Sequence, residues 1–138
     1  MNIFFEKTLY IYTSSSLHNE MLKIMFEKKF KKIKVLDSLE FSQKILQNDA
    51  IWVLDDTDEN HDNITEFLKN HEIAKNCLIL IDCHRKHTIR NFIFFKIGGL
   101  ISYKTAFTEL NKGIESIARD EIYFSERIKD AQIGRAHV

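Results

Sequence analysis

The sequence predicts one doubly wound α/β domain built on a five-stranded parallel sheet. Its 138 residues, 44% of them hydrophobic, suffice for a single domain with a substantial core. Five short runs read as continuous apolar segments, which is typical of strands buried on both faces. Segments with helical spacing of apolar residues separate these runs. That alternation favours a parallel sheet with helices on both of its faces.

The elements follow one another in a regular order. The predicted strands are 8–13, 32–37, 50–54, 76–81 and 98–103. The first helix, 14–30, opens with serines that can cap it, and its apolar spacing places on one face Leu17, Met21, Ile24 and Met25. The later helices are predicted at 39–47, 63–71, 88–97 and 106–119. The last of them carries in phase Phe107, Leu110, Ile114 and Ile117. A further helix is expected to begin at Ser125.

Charge and composition exclude several classes of protein. Twenty Lys and Arg balance twenty Asp and Glu, whereas a dedicated nucleic-acid-binding domain usually carries a strong basic excess. No basic segment followed by a long apolar run marks a signal peptide, and no run approaches the roughly 18 residues of a membrane span. Two cysteines are too few for a disulfide framework, so a reducing cytoplasm is the expected setting.

Polar residues collect where the predicted strands end. In open parallel sheets, ligands and chemistry lie at the carboxyl ends of the strands. The residues at those ends are Thr13 and Ser14, Asp55 and Asp56, Asp82 and Cys83, and Lys104. The sequence therefore predicts a functional site at this edge.

Five βα units, with an Asp after the third strand and a Lys after the fifth, resemble the receiver domain of bacterial response regulators. The resemblance implies the flavodoxin-like topology and identifies Asp55 with the aspartate that a histidine kinase phosphorylates. It identifies Lys104 with the lysine that contacts the phosphoryl oxygens. The stretch "GIESIARDEIYFSERI", 113–128, is similar to the end of LuxR/NarL-type receivers, which precede a helix-turn-helix.

Two further stretches resemble the CsgD and VpsT subgroup of biofilm regulators. They are "TSSSL", 13–17, at the end of the first strand and "DEIYF", 120–124, at the end of the domain. VpsT-like regulators bind cyclic di-GMP through a Trp-x-(Thr/Ser)-Arg motif. At the matching place this chain has Phe94-Phe95-Lys96-Ile97, without the Trp and the Arg, so no cyclic di-GMP binding is expected.

The chain departs from the receiver pattern at three positions. Thr13 and Ser14 stand where receivers have an acidic pair that binds Mg²⁺, and neutral hydroxyls are weak ligands for this ion. Asp82 stands where receivers have Thr or Ser, and there it would face a bound phosphoryl group. At a separation of about 5 Å, such like charges repel by roughly 3 kcal/mol. We therefore expect a degenerate receiver that is not phosphorylated and has no cofactor.

Two other interpretations of the acidic stretch 55–58 remain open. Asp55, Asp56, Asp58 and Asp82 could rebuild a magnesium site, because carboxylates at adjacent strand ends can converge. Alternatively, the stretch is a solvated turn in which Asp55 pairs with Lys104.

The loop after the fourth strand is a candidate anion-binding site. Its polar and cationic residues are His84, Arg85, Lys86 and Arg90. Guanidinium groups bind phosphates and carboxylates in bidentate geometry, and a nucleotide is one such ligand. Cys83, His84 and His87 could also hold zinc, although no CxxC pair supports this reading. We expect no metal there.

We divide the chain into a receiver-like domain at 1–122, the start of a linker helix at 123–132 and a non-native tail at 133–138. The tail "IGRAHV" translates the start of a common sequencing adapter, so we expect that the natural chain was cut off after about Gln132. A helix-turn-helix is therefore expected to follow in the natural gene.

The expected function is regulatory and non-enzymatic: the N-terminal domain of a LuxR-type transcriptional regulator, acting through dimerisation or ligand sensing. The alternatives are a phosphoacceptor that a histidine kinase modifies at Asp55, and a free-standing adaptor that binds other proteins. DNA would be bound only through the missing helix-turn-helix. We expect a weak homodimer through Phe124 and Ile128, unless both residues fold back onto the domain.

Overall fold

The computed structural model describes residues 6–39, 50–69, 71–82 and 84–130, without the side chains of 71–72 and 105–108. Its centre is a parallel sheet of six strands: β1 Thr8–Tyr12, β2 Lys32–Val35, β3 Ala50–Asp55, β4 Cys77–Ile81, β5 Gly99–Ser102 and β6 Tyr123–Phe124. Their order across the sheet is β2-β1-β3-β4-β5-β6. The doubly wound α/β fold is confirmed, with one strand more than the five predicted.

Within the described residues, the helices that connect the strands are α1 Ser16–Phe26, α2 His61–Leu68, α3 His71–Ala74, α4 Lys86–Phe94 and α5 Ala106–Ala118. A 3-10 turn, Tyr103–Thr105, joins β5 to α5. Residues 126–130 begin a further helix, which we call α6. The helix predicted at 39–47 falls almost entirely on residues outside the described ranges. Within the described part, no helix is long and apolar enough to cross a membrane.

The sheet separates two apolar cores because successive side chains of a strand point to opposite faces. In β3, Ile51 and Val53 pack against α1 and α5, whereas Trp52 and Leu54 pack against α2, α3 and α4. All six residues of β3 are buried, as expected for the central strand of a sheet that is covered on both faces.

The buried face of α1 agrees with the predicted one only in part, since Met25 alone of the four predicted residues packs against this core. Leu22 and Phe26 pack on the sheet, whereas Leu17 and Ile24 are 67% and 64% exposed. Both sets of residues have helical spacing, and the larger Phe26 ring and Leu22 fill the space above β1. In α5 the expected phase is confirmed for Leu110, Ile114 and Ile117, whereas the side chain of Phe107 is not described.

The segment 123–130 belongs to the folded domain rather than to a separate linker helix. Tyr123 and Phe124 pair with β5 and extend the sheet by a sixth strand. The backbone N–H of Ser125 donates to the Leu100 carbonyl (2.9 Å), and the Ser125 hydroxyl accepts from the Ser102 N–H (3.1 Å). These bonds direct Ile128 into the core, where it is fully buried. The alternative that Phe124 and Ile128 fold back onto the domain is the one observed, because Ile128 is buried and the partly buried Phe124 packs against the same core.

Two helix ends use a left-handed residue that is not glycine: Lys96, with φ of 61°, and Asp120, with φ of 60°. This conformation costs about 1–2 kcal/mol for a residue with a Cβ atom. We therefore expect Lys96→Gly to raise the free energy of unfolding by about 0.5–1 kcal/mol, measured by urea denaturation. Lys69→Gly is the matched control, because Lys69 caps α2 with an ordinary φ of −62°. That substitution should lower stability, and equal effects would contradict the explanation.

Candidate functional site

The carboxyl ends of β1, β3, β4 and β5 meet along one edge of the sheet. The register aligns Tyr12 with Leu54, Asp55 with Leu80, and Ile81 with Ser102. Asp55 is the last residue of β3, and Asp56 follows it directly. Both carboxyl groups are buried, although a carboxylate loses much of its hydration when it leaves water.

Asp56 is held by two cationic or proton-donating side chains. One of its carboxylate oxygens accepts from Nδ1 of His61 (2.7 Å), and the other accepts from a guanidinium nitrogen of Arg85 (2.7 Å). The same nitrogen lies 3.3 Å from the Asp56 carbonyl oxygen. Burial raises the pKa of Asp56, whereas His61 and Arg85 act in the opposite direction. We call Asp56, His61 and Arg85 the Asp56 cluster.

The cluster joins three elements. Asp56 follows β3, His61 is the first residue of α2, and Arg85 precedes α4. The exposed Asp58 lies 3.5 Å from the other guanidinium nitrogen of Arg85 and adds a weaker, solvated contact. In the link between β3 and α2, the side-chain oxygen of Asn60 closes the turn by accepting from the backbone N–H of Thr57 (2.8 Å). The short link between β3 and α2 therefore keeps Asp56 and His61 within hydrogen-bond distance.

Asp55 has a different environment from its neighbour. One of its carboxylate oxygens is buried without a hydrogen-bond partner, and the other lies 4.0 Å from Nδ1 of the half-exposed His18. Burial raises the pKa of Asp55 to about 6, His18 opposes that effect, and the adjacent Asp56 adds to it. Asp55 can therefore change its protonation state near neutral pH, which an ordinary aspartate cannot do.

The expected pair between Asp55 and Lys104 is wrong. Lys104 is exposed on the turn after β5, where its backbone N–H donates to the Ser102 hydroxyl (3.3 Å). Among the described residues, no ion pair joins its ammonium group to Asp55, and His18 takes that place. Asp55 is also a buried strand residue rather than part of a solvated turn, because β3 continues through it.

Among the three residues that depart from the receiver pattern, Thr13 and Asp82 make local hydrogen bonds and Ser14 is exposed. The Thr13 hydroxyl lies 2.7 Å from the Asn19 amide oxygen and 2.8 Å from the Ser15 carbonyl. It is therefore engaged in hydrogen bonding at the start of α1. Ser14 is exposed. Asp82 is exposed as well, and its carboxylate accepts from the backbone N–H of His84 (2.9 Å). Asp82 thus closes its own loop by a local side-chain hydrogen bond.

The polar and cationic residues that follow β4 differ in their exposure. His84, Lys86 and Arg90 are exposed, whereas Arg85 turns inward to Asp56. Cys83 lies outside the described residues, and the described part contains no group of three His, Cys, Asp or Glu side chains that could hold a metal ion. His18 and His61 were not predicted. His61 could have been found, since it follows Asp56 by five residues at the start of a helix.

Solved structures with the same fold are receiver domains. The isolated receiver domain of RcsB from Salmonella enterica serovar Typhimurium superposes with a TM-score of 0.71 at 13% identity, over 93% of this chain and 99% of that one. The longer RcsB response regulator from Salmonella typhimurium gives 0.74 at 14% identity, over 99% of this chain and 68% of that one. The regulatory domain of the master biofilm regulator CsgD gives 0.55 at 20% identity, over 92% and 98%.

No protein-family model matches the sequence, and no curated protein matches it significantly. The comparison therefore rests on structure. It confirms the receiver topology that was predicted from five βα units with Asp55 after the third strand and Lys104 after the fifth. The chain has the fold of the receiver domains of RcsB and CsgD.

Removal of the Arg85 guanidinium should destabilise the domain, because it leaves the buried Asp56 carboxylate with His61 alone. We expect Arg85→Met to lower the free energy of unfolding by about 1–3 kcal/mol near neutral pH, measured by urea denaturation. Arg90→Met, at an exposed position in α4, which Arg85 precedes, should stay within about 0.5 kcal/mol of the wild type. Equal losses in the two variants would assign the effect to the helix rather than to the cluster.

Asp55 should make stability depend on pH in a defined direction. Its pKa is about 6 in the folded chain against an ordinary value of 3.8, so the folded state binds this proton more tightly than the unfolded state. The stabilisation that the folded state gains by protonating Asp55 is complete below about pH 4 and is lost as pH rises through about 6. Relative to the wild type, Asp55→Asn should gain about 1–3 kcal/mol between about pH 4 and pH 8. A pH-independent difference would contradict the assignment.

Proposed function

We propose that this chain is the regulatory, receiver-like domain of a LuxR-type transcriptional regulator and that it works without phosphorylation. The fold shared with RcsB, a response regulator, and with CsgD, a master biofilm regulator, supports the class. The role is regulatory rather than enzymatic, in the cytoplasm. DNA would be bound by a helix-turn-helix encoded beyond the present sequence.

The Asp56 cluster carries this proposal. Both carboxylate oxygens of Asp56 are already engaged, one by His61 and one by Arg85, at 2.7 Å each. A positive guanidinium thus lies beside the end of β3, where magnesium and a phosphoryl group would be needed in a working receiver. Arg85 also ties the loop after β4 to β3 with no phosphoryl group involved.

Magnesium binding would depend on Asp55 almost alone. Its unpartnered oxygen is the one carboxylate oxygen of the Asp55–Asp56 pair without a contact to a cationic side chain. The Thr13 hydroxyl is engaged at the start of α1, and Ser14 is neutral. Magnesium prefers several hard oxygen ligands in octahedral array, so these residues do not form a site of that kind. We infer that the domain requires no magnesium.

A phosphoacceptor role for Asp55 is the second candidate, with a histidine kinase as partner. The unpartnered oxygen of Asp55 favours it, because a nucleophile must have a free lone pair. Its pKa of about 6 also leaves the carboxyl group largely ionised at pH 7. The third candidate is a free-standing adaptor. It differs from the first candidate only in having no DNA-binding domain after this one. The natural 3′ end of the gene separates the two, since a DNA-binding domain should follow in the first case.

Acetyl phosphate should therefore fail to label the wild-type protein in the presence of magnesium, as read by phosphate-affinity gel shift. Asp82→Thr alone should change little, because the ligands for magnesium are still missing. Thr13→Asp and Ser14→Asp together with Asp82→Thr should introduce labelling, because they supply the missing carboxylates. Asp55→Asn in that triple variant should abolish it.

The wild type provides the deciding comparison. Strong labelling that Asp55→Asn removes would overturn the phosphorylation-independent role and establish the second candidate. Labelling that Asp55→Asn leaves unchanged would indicate modification of another residue, for which His61 and His18 are the first to be substituted. Circular dichroism on each variant confirms that the fold is retained.

A further inference from the structure

A cavity of about 260 Å³ lies at the edge of the sheet where the strands begin. It is bordered by the three links that precede β4, β5 and β6. The charged residues among its lining include Lys75, Lys96 and Asp120, and the apolar ones are Ile97 and Ile122. The Asp56 cluster lies at the opposite edge, where the strands end, so this cavity is a separate feature of the domain.

The register of the sheet brings the three charged residues to one level. Lys75, Lys96 and Asp120 each stand three residues before a position of one paired row that crosses β4, β5 and β6. Neighbouring strands of a sheet are about 4.8 Å apart. The charges therefore follow one another across the edge in the order ammonium, ammonium, carboxylate.

The links are held together by their backbones. The N–H of Gly98 donates to the Ala74 carbonyl (3.0 Å), and the Gly98 carbonyl accepts from the N–H of Tyr123 (3.0 Å). A side chain at position 98 would not allow this approach, because a Cβ atom there would collide with the carbonyl oxygen of Lys75. The position of the cavity is thus fixed by the strands rather than by exposed side chains.

The three charged groups at this level are not paired with the protein itself. Lys75, Lys96 and Asp120 are exposed, and within the described part of the chain none of their side chains makes a hydrogen bond or an ion pair. The neighbouring Glu121, in contrast, is engaged by Arg119 at 2.8 Å. Two positive groups and one negative group are therefore available, and a complementary ligand carries two negative groups and one positive group.

The volume and the apolar lining restrict the size of such a ligand. A water molecule takes up about 30 Å³ in the liquid, so the cavity has room for roughly nine groups of that size. Ile97 is buried beside it, and Ile122, which is 68% exposed, offers an apolar surface to a short hydrocarbon chain. An acidic α-amino acid, with about nine or ten non-hydrogen atoms, two carboxylates and one ammonium group, meets both the size and the charge.

We propose that this cavity binds a free acidic α-amino acid, glutamate or aspartate. The two carboxylates of the ligand pair with Lys75 and Lys96, its ammonium group pairs with Asp120, and its methylene groups contact Ile97 and Ile122. Because these ion pairs are exposed to solvent, the affinity is weak, with a Kd of roughly 0.1–1 mM. The proposal goes beyond the regulatory role and does not depend on it, since neither the Asp56 cluster nor DNA takes part.

Isothermal titration calorimetry of the whole chain with L-glutamate and with L-aspartate, at low salt and neutral pH, tests the proposal. At least one of the two should bind saturably. Lys75→Gln and Lys96→Asn should each weaken that binding about threefold, and the double variant about tenfold. Asparagine is chosen at position 96 because it tolerates the left-handed backbone. Lys112→Gln, at an exposed position of α5 outside the cavity lining, is the matched control and should bind like the wild type.

A comparison of ligands separates the roles of the two signs of charge. Glutarate lacks the ammonium group and L-glutamine lacks one carboxylate, so both should bind more weakly than L-glutamate. Asp120→Asn should weaken L-glutamate about threefold and leave glutarate no weaker. No saturable binding of either amino acid up to about 20 mM, or undiminished binding by the Lys75→Gln/Lys96→Asn variant, would overturn the proposal. Equal weakening of glutamate and glutarate by Asp120→Asn would overturn the assigned orientation. Thermal unfolding verifies that each variant folds.

Discussion

The buried carboxylate of Asp56 is the constraint on which the functional edge of this domain depends. A buried charge without partners is strongly unfavourable, so the fold must bring cationic or proton-donating groups to it. His61 comes from the start of α2 and Arg85 from the loop before α4, each at 2.7 Å. These contacts fix the ends of β3 and β4 relative to each other.

Asp55 and Asp56 show how adjacent residues of one type acquire different properties. Asp55 ends a strand and Asp56 follows it, so their side chains enter different surroundings. Asp56 meets a guanidinium and an imidazole, whereas Asp55 meets a distant imidazole and keeps one oxygen without a partner. Burial raises the pKa of both, and the value of about 6 for Asp55 brings its titration near neutrality. The two carboxyl groups at this edge therefore differ in their partners and in the protonation that their surroundings favour.

The C-terminal segment determines which apolar surface remains available. β6 pairs with β5, and Ser125 bonds to both Leu100 and Ser102. Ile128 then completes the core on the α4 side of the sheet. Because Ile128 is fully buried, it offers no surface to a partner.

The sequence by itself determined the parallel α/β architecture, because continuous apolar strands and alternating helices are local patterns that tolerate few alternatives. It also identified the edge that holds Asp55, Asp56 and Asp82. It did not determine which face of α1 is buried, since two sets of residues have helical spacing and only contact with β1 selects Leu22 and Phe26. The partners of Asp56 were beyond it as well. Arg85 is 29 residues away along the chain, and a distance of 2.7 Å between such residues arises only when β3 and β4 pair. The spacing of apolar residues can be recognised along the sequence alone, whereas the pairing of Asp56 with Arg85 requires the folded sheet.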